Sequence, residues 1–94
     1  ESIKKELLNS LISEDEITKI VLFGSFTYSE TPNDIDVAIF QSSKESYLKL
    51  ALKYRRLTRK IAKRLPIDII PIRSNVQDNF FLSEIETGEA IYER

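Results

Sequence analysis

The sequence of 94 residues contains no histidine and no cysteine. Without these residues the chain cannot build a Ser-His-Asp or Cys-His nucleophile system, a zinc finger or a disulfide framework. Any chemistry must come from carboxylates, lysine and arginine, hydroxyls, backbone groups and a hard metal ion. The lack of cysteine also favours a cytoplasmic location, where disulfides are rare.

Long apolar runs and a strong excess of one charge are missing as well. No apolar stretch approaches the roughly 20 residues of a transmembrane helix, and the charged N-terminal segment does not resemble a secretory signal. The formal net charge is −1, so no overall field attracts nucleic acid or an acidic membrane. The length predicts one globular domain over residues 1–94.

The spacing of apolar residues predicts an α/β or α+β fold with the element order α-β-β-α-β-α. The predicted helices cover 2–13, 44–65 and about 78–87, and the predicted strands cover 17–23, 34–40 and 67–72. We expect a small three-stranded sheet with the helices packed mainly on one face. Pro71 predicts the end of the third strand or a place at the sheet edge, and residues 90–94 leave room for a further short strand.

Two aspartates, Asp34 and Asp36, open the second predicted strand. Residues two apart in a strand are separated by roughly 6.6 Å and point to the same face, so both carboxylates can converge on one ion or on two adjacent ions. Without a cation they would repel each other and lose hydration at the edge of an apolar core. Asp68, the second residue of the third predicted strand, would join them if that strand lies beside the second. Three carboxylates suit Mg²⁺ and a site with two ions roughly 3.5–4 Å apart.

Each of these aspartates also has a purely structural interpretation. Pro-Asn-Asp is ordinary turn chemistry and would explain Asp34 alone, but Asp36 inside a strand is harder to explain in that way. Asp68 would in this view start a strand and pair with a lysine or arginine. The metal interpretation is favoured for Asp34 and Asp36 as a pair, and for Asp68 both interpretations stay open at this point.

Gly24 and Ser25 follow the first predicted strand. A glycine at a strand end lets the backbone approach a phosphate closely, and a serine hydroxyl with the backbone N–H groups that follow it favours an anion. Taken alone, each residue is explained as well by a simple end of the strand. A lysine or arginine of 44–65, such as Lys53 or Arg56, could reach a phosphate from the helix, and the sequence does not select one.

The order of these residues is a strand ending in Gly24-Ser25, a short turn, Asp34-x-Asp36 opening the next strand, and Asp68 on a later strand. This order resembles the minimal nucleotidyltransferases of the DNA polymerase beta superfamily over nearly the whole chain, which implies their palm fold. The resemblance implies Mg²⁺-dependent transfer of a nucleoside monophosphate, in particular AMP from ATP, to a hydroxyl group. The three aspartates would be catalytic and would hold two Mg²⁺ ions, and Gly24 and Ser25 would bind the nucleotide phosphates.

The resemblance also implies a protein partner. Minimal members of the family often act as the antitoxin of a HEPN-domain toxin, so a HEPN-domain protein is the expected partner, and an oligomer is compatible with this. No membrane partner is expected. The basic run 54–60 is interpreted as a solvated helix face, so direct nucleic-acid binding is not favoured.

Two departures from the family pattern keep an alternative function open. Only the eight residues 26–33 separate Ser25 from Asp34, which is shorter than usual in the family, and Tyr28-Ser29 stands where Arg-Gly is common. The alternative is a catalytically weak or inactive member that neutralises or regulates its partner by binding alone. A nucleotide-binding regulatory domain is a third interpretation.

Overall fold

The computed structural model describes residues 2–24, 33–73, 85 and 87–94. These residues form α1 (Ser2–Leu11), β1 (Ile17–Phe23), β2 (Ile35–Gln41), α2 (Tyr47–Leu57), α3 (Arg59–Ala62), β3 (Ile67–Arg73) and β4 (Glu89–Glu93). The mixed α/β architecture predicted from the sequence is confirmed. Most of the predicted last helix lies outside the described residues. Within the described ranges, no helix is long and apolar enough to cross a membrane.

The four strands form one mixed sheet in the order β3-β2-β1-β4. β1 pairs antiparallel with both β2 and β4, and β2 pairs in parallel with β3. The prediction of three strands was wrong by one strand, because the C-terminal segment pairs along the free edge of β1, with Tyr92 opposite Ile20. β3 forms the other edge, as Pro71 predicted, since proline has no N–H to offer to a further strand.

Alternating side chains give the sheet two apolar faces. One face carries Ile35, Val37 and Ile39 of β2, which are fully buried in the same cluster as residues of α1, α2 and α3. The other face carries a smaller cluster formed by Val21, Phe23, Ala38, Ile72 and Ile85. The described helices therefore cover one face of the sheet, as predicted, and the face with the smaller cluster is the one that carries the predicted aspartates.

The predicted helix over 44–65 is in fact two helices, α2 and α3, separated at Thr58. Thr58 is buried, and its hydroxyl donates to the backbone carbonyl of Tyr54 at 2.9 Å. A threonine that bonds back to the carbonyl one turn earlier bends a helix. The beginning of α2 is capped by Ser46, whose hydroxyl accepts the N–H of Lys49 at 3.3 Å.

Candidate functional site

The parallel pairing of β2 with β3 brings the predicted aspartates together. Asp36 is the register partner of Asp68. The carbonyl of Pro66 accepts the N–H of Ile35 at 2.9 Å, which fixes the beginnings of the two strands side by side. Asp34 directly precedes β2, and one oxygen from each of the three carboxylates lies within 4.8 Å of the other two. The sequence pattern thus produces a cluster of three carboxylates at one end of the sheet.

This cluster lies at the rim of the sheet rather than inside its core. Asp34 and Asp36 are half-buried, and Asp68 is exposed. Charges of one sign at this distance repel by roughly 1 kcal/mol per pair in water and by several times that at a partly buried surface. No lysine or arginine in the described part of the chain forms an ion pair with Asp34 or Asp68. The described lysines and arginines therefore do not offset the repulsion at Asp34 and Asp68. A cation from outside the chain would offset it.

Gly24 brings the end of β1 against Asp36. Phe23 lies opposite Asp36 in the pairing of β1 with β2, so Gly24 follows at the same end of the sheet. Its φ is +78°, in the left-handed region that favours glycine. A Cβ built on Gly24 would collide with Oδ2 of Asp36 and would lie 3.2 Å from its Cγ. Glycine at this position therefore makes room for a site carboxylate, a role that the sequence alone did not indicate.

Ser25, the other residue predicted to contact phosphate, lies outside the described residues, as do residues 26–32 of the short segment. Its assignment to the nucleotide phosphates stays a prediction.

The two cations considered for a phosphate contact lie away from the aspartates. Lys53 binds Glu14 at 2.9 Å and Glu16 at 2.8 Å, just before β1 begins. The length of β1, roughly 20 Å, separates that end from Gly24. Arg56 lines a cavity of about 550 Å³ between α1 and the α2–α3 segment, on the helix side of the sheet. Neither side chain is placed to reach a phosphate held at the carboxylate cluster.

The donor set of the cluster fits a hard divalent cation. It offers carboxylate oxygens and no nitrogen or sulfur donor, which suits Mg²⁺, Mn²⁺ or Ca²⁺. An ion with ligands at about 2.1 Å holds opposite oxygens about 4.2 Å apart. A spacing within 4.8 Å therefore needs only small side-chain rotations to close on an ion. Asp34, Asp36 and Asp68 are the described residues that would hold it.

Sequence reasoning missed a second surface feature, on α2. Leu48 and Leu52 are 65% and 52% exposed, although leucine is usually buried. Both fall outside the 3–4 spacing of apolar residues that predicts the buried stripe of 44–65. That mismatch is the signal that could have identified them as facing solvent.

In comparisons with known proteins, the chain matches one family model, and several solved structures share its fold. The family model described as "Polymerase beta, Nucleotidyltransferase" matches residues 5–94. No curated protein matches the chain.

Among solved structures, a toxin–antitoxin structure with AMP-PNP has a TM-score of 0.68 at 19% identity, covering 97% of this chain and 73% of that chain. The MntA–HepT toxin–antitoxin structure has a TM-score of 0.64 at 17% identity, covering 99% of this chain and 72% of that chain. A tri-AMPylated Shewanella oneidensis HEPN toxin in complex with MNT antitoxin gives 0.64 at 17% identity, with 99% and 71% covered. At these identities the similarity establishes a shared fold.

Proposed function

The chain belongs to the polymerase beta nucleotidyltransferase family, and we propose that it transfers AMP from ATP to a hydroxyl group of a HEPN-domain partner protein. The observation that carries this proposal is the convergence of Asp34, Asp36 and Asp68 within 4.8 Å at the end of the sheet. Structures of the same fold support the nucleotide and the acceptor, since one contains AMP-PNP and another pairs an MNT antitoxin with a tri-AMPylated HEPN toxin.

The role that we propose for each residue of the site follows from its position. Asp34 and Asp36 would hold Mg²⁺, and Asp68 would complete a site for two ions. Bound Mg²⁺ supplies charge neutralisation and polarisation of the phosphoryl group. Asp68 is open to solvent, so its carboxylate can accept the proton of an incoming hydroxyl group. Gly24 leaves room for the carboxylate of Asp36, and its backbone is assigned, with Ser25, to the nucleotide phosphates.

The proposed reaction is a substitution at the α-phosphorus of ATP. The acceptor oxygen forms a bond to the α-phosphorus as the bond to the bridging oxygen breaks. Pyrophosphate leaves with that electron pair, and the hydroxyl proton passes to Asp68 and then to solvent. The product carries one added AMP per modified hydroxyl group.

Intact-mass analysis of a co-expressed HEPN-domain protein tests this proposal. With ATP and Mg²⁺ we expect a mass increase of one or more AMP groups, and the Asp36→Asn variant should lower the rate of transfer at least about 100-fold. The matched control is Asp15→Asn, which removes an exposed aspartate before β1 and should transfer AMP at the wild-type rate. Unchanged transfer by an Asp34→Asn/Asp36→Asn double variant would exclude the proposal.

The second candidate is a catalytically weak member that neutralises its partner by binding alone. The short segment 26–33 and the absence of Arg-Gly favour it, and so do the positions of Lys53 and Arg56, which lie away from the carboxylate cluster. This candidate predicts a stable complex in which the partner's mass is unchanged. It also predicts that neutralisation survives the Asp36→Asn change.

The single domain over 1–94 and the cytoplasmic location stay predictions.

A further inference from the structure

The outer face of α2 carries apolar side chains that the core does not use. The inner face of the helix already buries Leu50, Ala51 and Tyr54. On the opposite side Leu48 is 65% exposed and Leu52 is 52% exposed. Because they are four residues apart, the two leucines lie one helical turn from each other on the same face.

The same face continues into a row of cations. Arg55 lies seven residues after Leu48, which places it in line with the two leucines. Arg59 follows one turn later, after the break at Thr58. Arg56, Arg59 and Lys60 line the cavity of about 550 Å³ beside α1, together with polar and apolar side chains and with Glu6, which is paired with Arg64. Within the described ranges, Arg55 and the three cations that line the cavity form no ion pair.

The charge of the chain is strongly segregated around this row. Residues 46–66 contain eight of the fourteen lysines and arginines and no aspartate or glutamate, so all fifteen acidic residues lie elsewhere. Ion pairs with glutamates outside this segment engage Lys53, Arg64 and, at 3.8 Å, Lys49. The net charge of −1 therefore conceals a positive surface whose central cations are not neutralised by the described residues.

We propose that this face is a docking site for an acidic amphipathic helix of a partner protein. We define the α2 surface as Leu48, Leu52, Arg55, Arg56, Arg59 and Lys60. Apolar side chains one turn apart on the partner helix would cover the leucines, and carboxylates on its next turns would meet the arginines. Nucleic acid would use the cations through its phosphates but would leave both leucines in water. The combination of leucines and arginines in one row therefore favours a protein helix.

The position of the α2 surface is compatible with transfer to the bound partner. α2 packs on the helix side of the sheet, and the carboxylate cluster lies on the opposite face. A helix held at α2 would leave Asp34, Asp36 and Asp68 open to nucleotide and acceptor. The identification of this partner as the HEPN-domain protein rests on the proposed function. The choice of an acidic amphipathic helix rests only on the side chains of the α2 surface.

The test is the dissociation constant for the purified HEPN-domain protein, measured by calorimetry. The Leu48→Ser/Leu52→Ser variant and the Arg55→Glu variant should each weaken binding at least about tenfold, because central anchors carry most of the binding energy of an interface. Ile12→Ser removes another exposed apolar side chain, which is 43% exposed. Arg73→Glu reverses an exposed charge on β3. Both control variants should bind within about twofold of the wild type, and circular dichroism checks that all variants are folded.

Three results would overturn the α2 surface as the docking site. The first is an unchanged dissociation constant in the double leucine variant. The second is binding of a single-stranded RNA oligonucleotide that Arg55→Glu abolishes and the leucine variant retains, which would assign the surface to nucleic acid. The third is a dimer of this chain, seen by light scattering, that the leucine variant converts to a monomer.

Transfer measured in the same samples separates this inference from the proposed function. Asp36→Asn should abolish AMP transfer and leave the dissociation constant unchanged. The α2 variants could bind the partner with unchanged affinity and yet fail to transfer AMP at saturating partner. That result would overturn the docking site but not the transferase. A wild-type chain that binds the partner through the α2 surface and never transfers AMP would overturn the proposed function but not the docking site. No complex with the wild-type chain would overturn both.

Discussion

The backbone conformation of Gly24 at the end of β1 determines how closely a carboxylate of the candidate site can approach. Its φ of +78° would strain most other residues, and the space that a Cβ would need is taken by the carboxylate of Asp36. The sequence predicted a strand end here, and that is confirmed. The approach of Asp36 could not be predicted from Gly24 itself, because it depends on the register between β1 and β2.

Replacing Gly24 by alanine should damage both stability and catalysis. We expect the free energy of unfolding to fall by about 1–3 kcal/mol, since the new Cβ sits in a disfavoured conformation. We also expect AMP transfer to fall by at least about 100-fold, because a displacement of Asp36 by about 1 Å misplaces one of the carboxylates that we propose as metal ligands. Urea denaturation and the intact-mass assay measure the two effects.

Gly88→Ala is the matched control for this prediction. A Cβ on Gly88 would collide with the carbonyl oxygen of Leu22 and lie 2.9 Å from Cβ of Phe23, so the sheet is strained without contact to Asp36. This variant should lose stability but transfer AMP normally at temperatures at which it is folded. Wild-type transfer by Gly24→Ala would show that Asp36 does not need the space that Gly24 leaves.

At the scale of whole elements, a partly buried network ties α2 to the segment before β1. The hydroxyl of Tyr54 donates to Glu16 at 2.7 Å, and Lys53 bridges Glu14 at 2.9 Å and Glu16 at 2.8 Å. Tyr54 is fully buried. Burial raises the pKa of its hydroxyl, and the carboxylate of Glu16 raises it further. The hydroxyl is therefore a permanent donor that fixes α2 against the beginning of β1.

Tyr54→Phe should lower the free energy of unfolding by about 2 kcal/mol. The change keeps the ring but removes a hydrogen bond to a charged group, and such bonds contribute about 1.5–3 kcal/mol. Tyr47→Phe removes the same hydroxyl from a side chain on α2 that is 61% exposed, and should leave stability unchanged. Equal stability of the two variants in urea denaturation would contradict a structural role for the buried hydroxyl.

The same network predicts how stability depends on pH. Burial alone would raise the pKa of Glu16, but hydrogen bonds from Lys53 and Tyr54 outweigh it, so the pKa lies below its ordinary value of 4.5. A carboxyl group with a lowered pKa stabilises the folded state above its unfolded pKa, and this contribution is lost as the pH falls through the folded pKa. The stability advantage of the wild type over Glu16→Gln should therefore be constant near neutral pH and shrink below about 4.5.

Denaturation curves across the acidic range test the pH prediction. Glu45→Gln is the control, because Glu45 is exposed and its one ion pair among the described residues is a loose contact with Lys49 at 3.8 Å. Its stability should follow that of the wild type at every pH. A difference between wild type and Glu16→Gln that stays constant into strong acid would be inconsistent with a lowered pKa of Glu16.

The elements themselves show which parts of the fold the sequence can predict. β1, β2 and β3 were predicted within one residue, because short runs of β-branched residues between polar segments leave little choice. The break at Thr58 was missed, since the apolar period continues through it and the departure from helical backbone is confined to Thr58, with φ −104° and ψ 12°. β4 was left open, because its residues are mostly exposed and its pairing with β1 is a long-range contact.

At the scale of the whole molecule, the cluster of three carboxylates was predictable because its members follow from strand parity. Asp34, Asp36 and Asp68 each occupy a strand start, and a parallel arrangement of two strands is enough to bring them together. The cations were not predictable in this way. Lys53 and Arg56 belong to one helix with a repeating pattern, and only the packing of that helix shows that both face away from the carboxylates.

Because the carboxylate cluster is assembled from β2, β3 and the residue before β2, a divalent cation should bind the folded chain and not the unfolded one. Binding should therefore raise the melting temperature, and the rise should grow with the logarithm of the ion concentration once that exceeds the dissociation constant. An ion at ten times its dissociation constant adds about 1.4 kcal/mol, which corresponds to about 5–10 °C for a domain of this size. Thermal unfolding with increasing Mg²⁺ or Mn²⁺, without nucleotide, measures the effect.

The Asp68→Asn variant distinguishes ion binding at the carboxylate cluster from a general effect of salt on stability. Without the ion, the variant should be at least as stable as the wild type, because it removes one of three negative charges that lie within 4.8 Å of one another. With the ion, it should gain less than the wild type, so the order of the two melting temperatures should reverse. Asp15→Asn, which removes an exposed aspartate elsewhere, should gain as much as the wild type. Parallel curves for all three proteins would show that the carboxylates do not hold a metal ion.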